Sequence, residues 1–260
     1  MRLPRAVVRA VARAKPLVPD RAWPALLSLR SLAGDGPVVG TPAFRRVLVL
    51  APHPDDEAVG CGGLVALLAD AGGEVDVVFA TDGEATRGGA ASAAEVASSR
   101  RREANAACDV LGARPPRFLG LPDGALASHL DELTRSVRAV AGELTPDAVL
   151  VPWFGDGHDD HRALSDAVCR AGLGDGVEVW AYETWTPLPA NRVVDISSVV
   201  ARKERAIAAH ETAHLAFDVG AMLGLNRYRS LHGLMGRGWA EAYLAASPGA
   251  YAALVRDHTP

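Results

Sequence analysis

Two short stretches concentrate the side chains that can bind a cation or move a proton. The first is Pro52, His53, Pro54, Asp55, Asp56 and Glu57; the second is Asp156, Gly157, His158, Asp159, Asp160 and His161. In the first, two prolines restrict the backbone and lower the entropic cost of holding the intervening side chains in one geometry. Adjacent residues in a turn point in different directions, so one of Asp55 and Asp56 can bind a cation while the other faces a substrate. A histidine and a carboxylate three positions apart on a stiff turn make the start of a zinc site. The competing role for either aspartate is a helix cap. Two adjacent carboxylates beside a histidine repel one another, however, and call for a compensating positive charge. In the second stretch His158 and His161 share one face of an incipient helical turn, with Asp160 between them. A histidine, a carboxylate and a second histidine drawn from the two stretches supply three ligands and leave a coordination place open. That is the arrangement of a catalytic rather than a structural zinc site.

The elements that must position these loops follow from apolar periodicity. Residues 47–51, 75–80, 117–119, 148–151 and 177–182 read as buried strands rich in β-branched side chains. Residues 58–71, 93–111, 130–144 and 161–171 carry apolar positions at helical spacing. This alternation predicts an α/β fold, a Rossmann-like open, mostly parallel sheet with helices on both faces. Such sheets bind ligands beyond the carboxyl ends of their strands, where both stretches fall. Gly60, Gly62, Gly63 and Asp82 raise the alternative of a dinucleotide site, but there the glycines form the turn itself, whereas here HPDDE occupies it and would repel phosphate.

The chain has 260 residues, 49% of them hydrophobic, enough for one sizeable core. We read a single domain over residues 41–260, preceded by an N-terminal helical extension over residues 1–40. In that extension Arg2, Arg5, Arg9 and Arg13 recur beside Leu3, Val7 and Val11, the spacing of a basic amphipathic helix, before Pro16, Pro19 and Pro24 break it. Such a helix packs on the core or rests on an anionic membrane surface. A net charge of -4 gives no sign of a nucleic-acid partner. Three dispersed cysteines and no run of membrane-spanning length make a cytoplasmic protein, with peripheral membrane contact at most, the expectation.

Together "APHPDDEAVGCGG" at 51–63 and "GHDDHRALSDA" at 157–167 resemble the LmbE or PIG-L family of zinc-dependent N-acetylglucosaminyl deacetylases. The resemblance covers about residues 45–245, with weaker pieces at "TDGEA", "RRREANAACDVLGA", "LGLPDG" and "VDIS". It implies Zn(2+) ligands at His53, Asp56 and His161, Asp55 as general base, and His158 as a second catalytic residue oriented and polarised by Asp160. It also implies substrate contacts at Arg100 and Asp123, and removal of an acetyl group from an N-acetylated amino sugar or its glycoconjugate. Three positions depart from the family pattern. Asp159 replaces a proline, Asp156 stands where some members place a tyrosine near the reacting carbonyl, and "HETA" from His210 replaces "HxSQ", so no role follows for that segment. Trp153 and Trp185 are candidates for stacking on a sugar or for packing in the core. A non-catalytic sugar- or metal-binding protein of the same fold is the remaining alternative.

Overall fold

The computed structural model describes residues 38–85, 91–213 and 218–258. The basic N-terminal helix and the membrane contact that depends on it lie outside the described residues.

Eight strands form one sheet: β1 (Val38–Val39), β2 (Arg46–Ala51), β3 (Glu74–Thr81), β4 (Arg117–Leu121), β5 (Ala148–Pro152), β6 (Glu178–Tyr182), β7 (Arg192–Asp195) and β8 (Ala240–Ala246). Their spatial order is β1-β7-β8-β6-β5-β2-β3-β4. All neighbours are parallel except β8, which runs antiparallel to β6 and β7. From β2 the chain winds outward through β3 and β4, then returns to place β5 on the other side of β2 and continues to β6. The order therefore reverses between β2 and β5. At such a reversal the loops leaving the two strands diverge and open a crevice. The HPDDE loop leaves β2 and the GHDDH loop leaves β5, so both site motifs flank that crevice.

Alternate residues of β2 face opposite cores. Val47, Val49 and Ala51 pack with Leu64, Val65, Ala104, Ala107 and Ile207, from α1 (Asp56–Asp70), α2 (Ala93–Leu111) and α5 (Val200–Ala208). Leu48 and Leu50 pack with Leu133, Val137, Leu164, Val168 and Tyr251, from α3 (Leu130–Leu144), α4 (Asp159–Ala171) and α8 (Pro248–His258). Both faces of the strand are buried, so it reads as a continuous apolar run instead of an alternating one. α6 (Val219–Arg229) and α7 (Leu231–Leu234) complete the helices among the described residues.

The glycines near the first motif have a packing role. A Cβ on Gly60 would fall 2.2 Å from the Tyr182 ring, and one on Gly63 would fall 2.5 Å from Ile196. They let α1 lie close against β6 and the segment after β7. The middle of α1 is also tied down by a buried ion pair. Lys203 Nζ donates to Val59 O at 2.8 Å and to Glu241 Oε1 at 2.6 Å, and the Glu241 carboxylate accepts from Gly63 N, Leu64 N and the Tyr243 hydroxyl. Removing one member of a buried pair strands the other charge. Lys203→Met is therefore expected to lower stability by about 3–5 kcal/mol in urea denaturation; a loss under about 1 kcal/mol would mean the pair is hydrated in solution.

Candidate metal and catalytic site

The loop after β2 turns through Asp55, whose φ of 138° is rare for any residue with a Cβ. Such backbone strain costs on the order of 1–3 kcal/mol and persists only where the surroundings enforce it. Here Glu57 Oε2 accepts from Asp55 N at 3.0 Å, while Asp55 O receives Ala58 N and Val59 N at the start of α1. Glu57 is in turn held by His210, whose Nε2 lies 2.8 Å from Glu57 Oε1, both side chains being fully buried. Arg100 closes the other side: its Nη2 lies 3.2 Å from Asp55 Oδ2 and donates to Pro54 O. The Asp55 side chain caps no backbone N–H of α1, so the helix-cap role does not apply to it.

His53, Asp56 and His161 converge. Asp56 Oδ2 lies 3.2 Å from His53 Nδ1 and 3.3 Å from His161 Nε2. Ligands at about 2.0–2.1 Å around a tetrahedral zinc ion stand roughly 3.3 Å apart, so both separations match edges of such a polyhedron. The tautomer of His161 follows from its other nitrogen. Thr184 Oγ1 donates to Asp156 Oδ2 at 3.0 Å, and so accepts from His161 Nδ1 at 2.9 Å; Asp156 Oδ1 stands 3.4 Å away. With its proton on Nδ1, His161 leaves the Nε2 lone pair bare, and that atom is buried with no hydrogen-bond partner. An orphaned imidazole nitrogen beside a carboxylate and a second imidazole fits a divalent cation.

His158 behaves differently. It is the N-cap of α4, and its Nδ1 accepts from Asp160 N at 3.1 Å. A neutral ring whose Nδ1 accepts carries its proton on Nε2, so His158 Nε2 is placed to donate. His53, His158 and Asp160 also lie close enough to hold an ion, but this tautomer argues for the trio that contains Asp56 and His161. Burial and the neighbouring imidazoles of His53 and His161 hold the pKa of His158 below its ordinary value, so the ring is neutral near pH 7.

The expected pairing of Asp160 with the His158 ring is not what the structure contains. The Asp160 carboxylate accepts from Gly124 N and Leu126 N, and its Oδ2 stands 3.2 Å from His53 Nε2. Only its backbone N–H meets His158. The reason is positional: at the first turn of α4, the side chain points back across the crevice towards the loop after β4. Asp123, expected to touch the sugar, puts Oδ1 3.1 Å from the same His53 Nε2. Arg100 and Asp123 do line the cavity of about 320 Å³, with His53, Asp55, Asp56 and His158. Each also supports a neighbour in the site.

Sequence reasoning passed over Asp156 as an orienting group, Thr184, Glu57 and His210. Asp156 was visible only as a departure from the family pattern. His210 is separated from Glu57 by 153 positions, and its "HETA" segment departs from the family pattern, so no role followed for it.

The family model PIG-L, described as GlcNAc-PI de-N-acetylase, matches residues 48–172. A diacetylchitobiose deacetylase of Thermococcus kodakarensis is 33% identical, over 74% of this chain and 78% of its own. The chain belongs to the PIG-L family. Another relative in the family, the 1D-myo-inositol 2-acetamido-2-deoxy-alpha-D-glucopyranoside deacetylase of Rhodococcus erythropolis, is 28% identical over 72% of this chain and 87% of that one. The fold is that of the N,N'-diacetylchitobiose deacetylase of Pyrococcus horikoshii, with a TM-score of 0.69 over 80% of this chain and 86% of that one at 23% identity. The named PIG-L relatives are deacetylases, and this chain is an enzyme of that kind, a hydrolase of amides. Among the described residues no helix is long and apolar enough to cross a membrane.

Two measurements check the site. Burial disfavours a charged His53, but Asp123, Asp160 and Asp56 together hold its pKa well above the ordinary value. The metal-free ring is then an imidazolium at pH 7, and a ligating ring must lose one proton. Adding zinc to metal-free protein in weak buffer at pH 7 should release protons, and no release would show that the ring is already neutral. Asp156→Ala should weaken zinc binding by roughly 10–100-fold in a competition titration, because His161 loses the partner chain that fixes its tautomer.

Proposed function

We propose that the protein is a zinc-dependent deacetylase that removes the acetyl group from the nitrogen of an N-acetylated amino sugar or its glycoconjugate. The observation that carries this is the bare, buried Nε2 of His161, set against Asp56 and His53, which line the cavity. His53 through Nδ1, Asp56 through Oδ2 and His161 through Nε2 would hold the ion. Such an ion lowers the pKa of a water to about 7 and withdraws electron density from a carbonyl.

Asp55 is the general base. Burial, then the charge of Asp56, pushes its pKa up to about 6, against the opposing pull of Arg100. A carboxylate titrating there is ionised at neutral pH yet basic enough to take a proton from water. As the water oxygen attacks the carbonyl carbon, that proton passes to Asp55 and the carbonyl oxygen gains charge. His158 Nε2–H donates to this oxyanion as a neutral imidazole. The C–N bond breaks when the nitrogen receives a proton. Neutral His158 is a weak acid, so protonated Asp55 delivers it, leaving acetate and a free amine. Arg100 and Glu57 keep Asp55 in place through both transfers.

The base must be ionised, so kcat/KM should fall as pH drops, on a limb at or below about pH 6. A cation held by the neighbouring ligands favours the carboxylate and moves the limb lower. Asp55→Asn should retain bound zinc and lose at least a hundredfold in kcat on an N-acetylated amino sugar, followed by release of primary amine. Loss of zinc together with activity would exchange the roles of Asp55 and a ligand.

A further inference from the structure

Thr184 Oγ1 accepts the proton of His161 Nδ1, so whatever holds Thr184 in place bears on that ligand. Thr184 belongs to the loop that follows β6, between Glu183 and Leu188. The middle of this loop is tied to the second motif. Asp156 Oδ2 accepts from the Thr184 hydroxyl at 3.0 Å and from Trp185 N and Thr186 N, each at 3.2 Å. Gly157 N donates to Thr186 Oγ1 at 3.0 Å, and the buried Trp153 donates its Nε1 to Thr186 O at 2.8 Å. A shift of the loop would therefore strip the buried Asp156 carboxylate of these donors and His161 of its acceptor together.

A group outside both motifs closes the base of the loop. Glu183 Oε1 accepts from Leu188 N at 2.7 Å, joining the two ends. Arg229, the last residue of α6, donates from Nε to Glu183 Oε2 at 3.1 Å, and from Nη2 both to Glu183 Oε1 and, at 2.7 Å, to Leu188 O. One guanidinium thus spans a carboxylate at one end of the loop and a carbonyl at the other, a fork that an ammonium does not supply. Glu183 and Arg229 are only 5% and 7% exposed, so water does not take over either set of bonds. The helix that carries the guanidinium is itself fixed to the sheet, since Asn226 Nδ2 donates to Ala240 O in β8 at 3.1 Å.

Resting on the reading of His53, Asp56 and His161 as the metal ligands, we infer that Arg229 is a positioning residue for the metal centre: by closing the loop between Glu183 and Leu188 it holds Thr184 against His161, and so sets metal affinity from outside both motifs.

Zinc affinity would be measured by competition titration for the wild type, Arg229→Met, and the double variant Arg229→Met with Glu183→Gln. The melting temperature of the metal-free forms and the nitrogen NMR shifts of the His161 ring would be recorded beside it. Arg229→Met leaves the Glu183 charge buried and unpaired, and should melt earlier than the wild type. The double variant has no stranded charge and keeps an acceptor for Leu188 N, so it should regain most of that loss. Zinc affinity should fall about tenfold in both variants and should not return with stability. The His161 ring, protonated on Nδ1 in the wild type, should show a mixture of tautomers in both. Affinity within about twofold of the wild type, affinity that recovers along with the melting temperature, or a wild-type His161 tautomer in the folded variants overturns the positioning role and leaves the metal site intact. A wild type that binds no zinc counts against the site itself.

Discussion

One carboxylate oxygen, Asp56 Oδ2, lies between an imidazole nitrogen from the loop after β2 and another from the first turn of α4. Asp123 and Asp160 press on the far nitrogen of His53, so three carboxylates share one ring. Negative charge at that density, drawn out of water, needs a cation among it. In the metal-free protein the His53 imidazolium fills that need. The reversal of strand order between β2 and β5 is what brings these groups together, since it places the two carboxylate-rich loops on either side of one crevice.

Around the ligands, support is divided between two buried chains of contacts. His210 and Glu57 hold the strained backbone of Asp55 from one side of the sheet. Asp156 and Thr184 fix His161 from the other, and the same Asp156 carboxylate anchors the loop that carries Trp185. Lys203 and Glu241 grip α1 one turn behind the site. Each of these groups acts by removing freedom from a side chain that does chemistry, which is where much of the advantage of a preformed site lies.

The parallel half of the sheet and all four early helices were legible in the sequence because each is a long periodic segment with β-branched or apolar positions. β7 and β8 were not. β7 has four residues, and β8 reads AEAYLAA, alanine-rich and with a buried glutamate, so its local preference is helical. It is a strand because Asn191, β6 and β7 pair with it. The helices over α1 and α4 begin two residues earlier than periodicity suggested, at Asp56 and Asp159, since acidic residues suit a first helical turn. In the site, the two motifs pointed to the right loops, and they could not show which nitrogen of which ring is bare. That depends on Thr184 and Asp156, and on the backbone N–H that occupies His158 Nδ1. The partner of Asp160 was misread for the same reason: adjacency in sequence to His158 and His161 says nothing of a side chain that turns across the crevice to His53.

The most direct test is anomalous diffraction at the zinc edge from crystals of the zinc-loaded protein at neutral pH. The account predicts one peak bonded to His53 Nδ1, Asp56 and His161 Nε2, with Asp55 and the His158 ring beside it but not bonded to it. A peak bonded to His158 and Asp160, or no peak although the protein is fully folded, would contradict it.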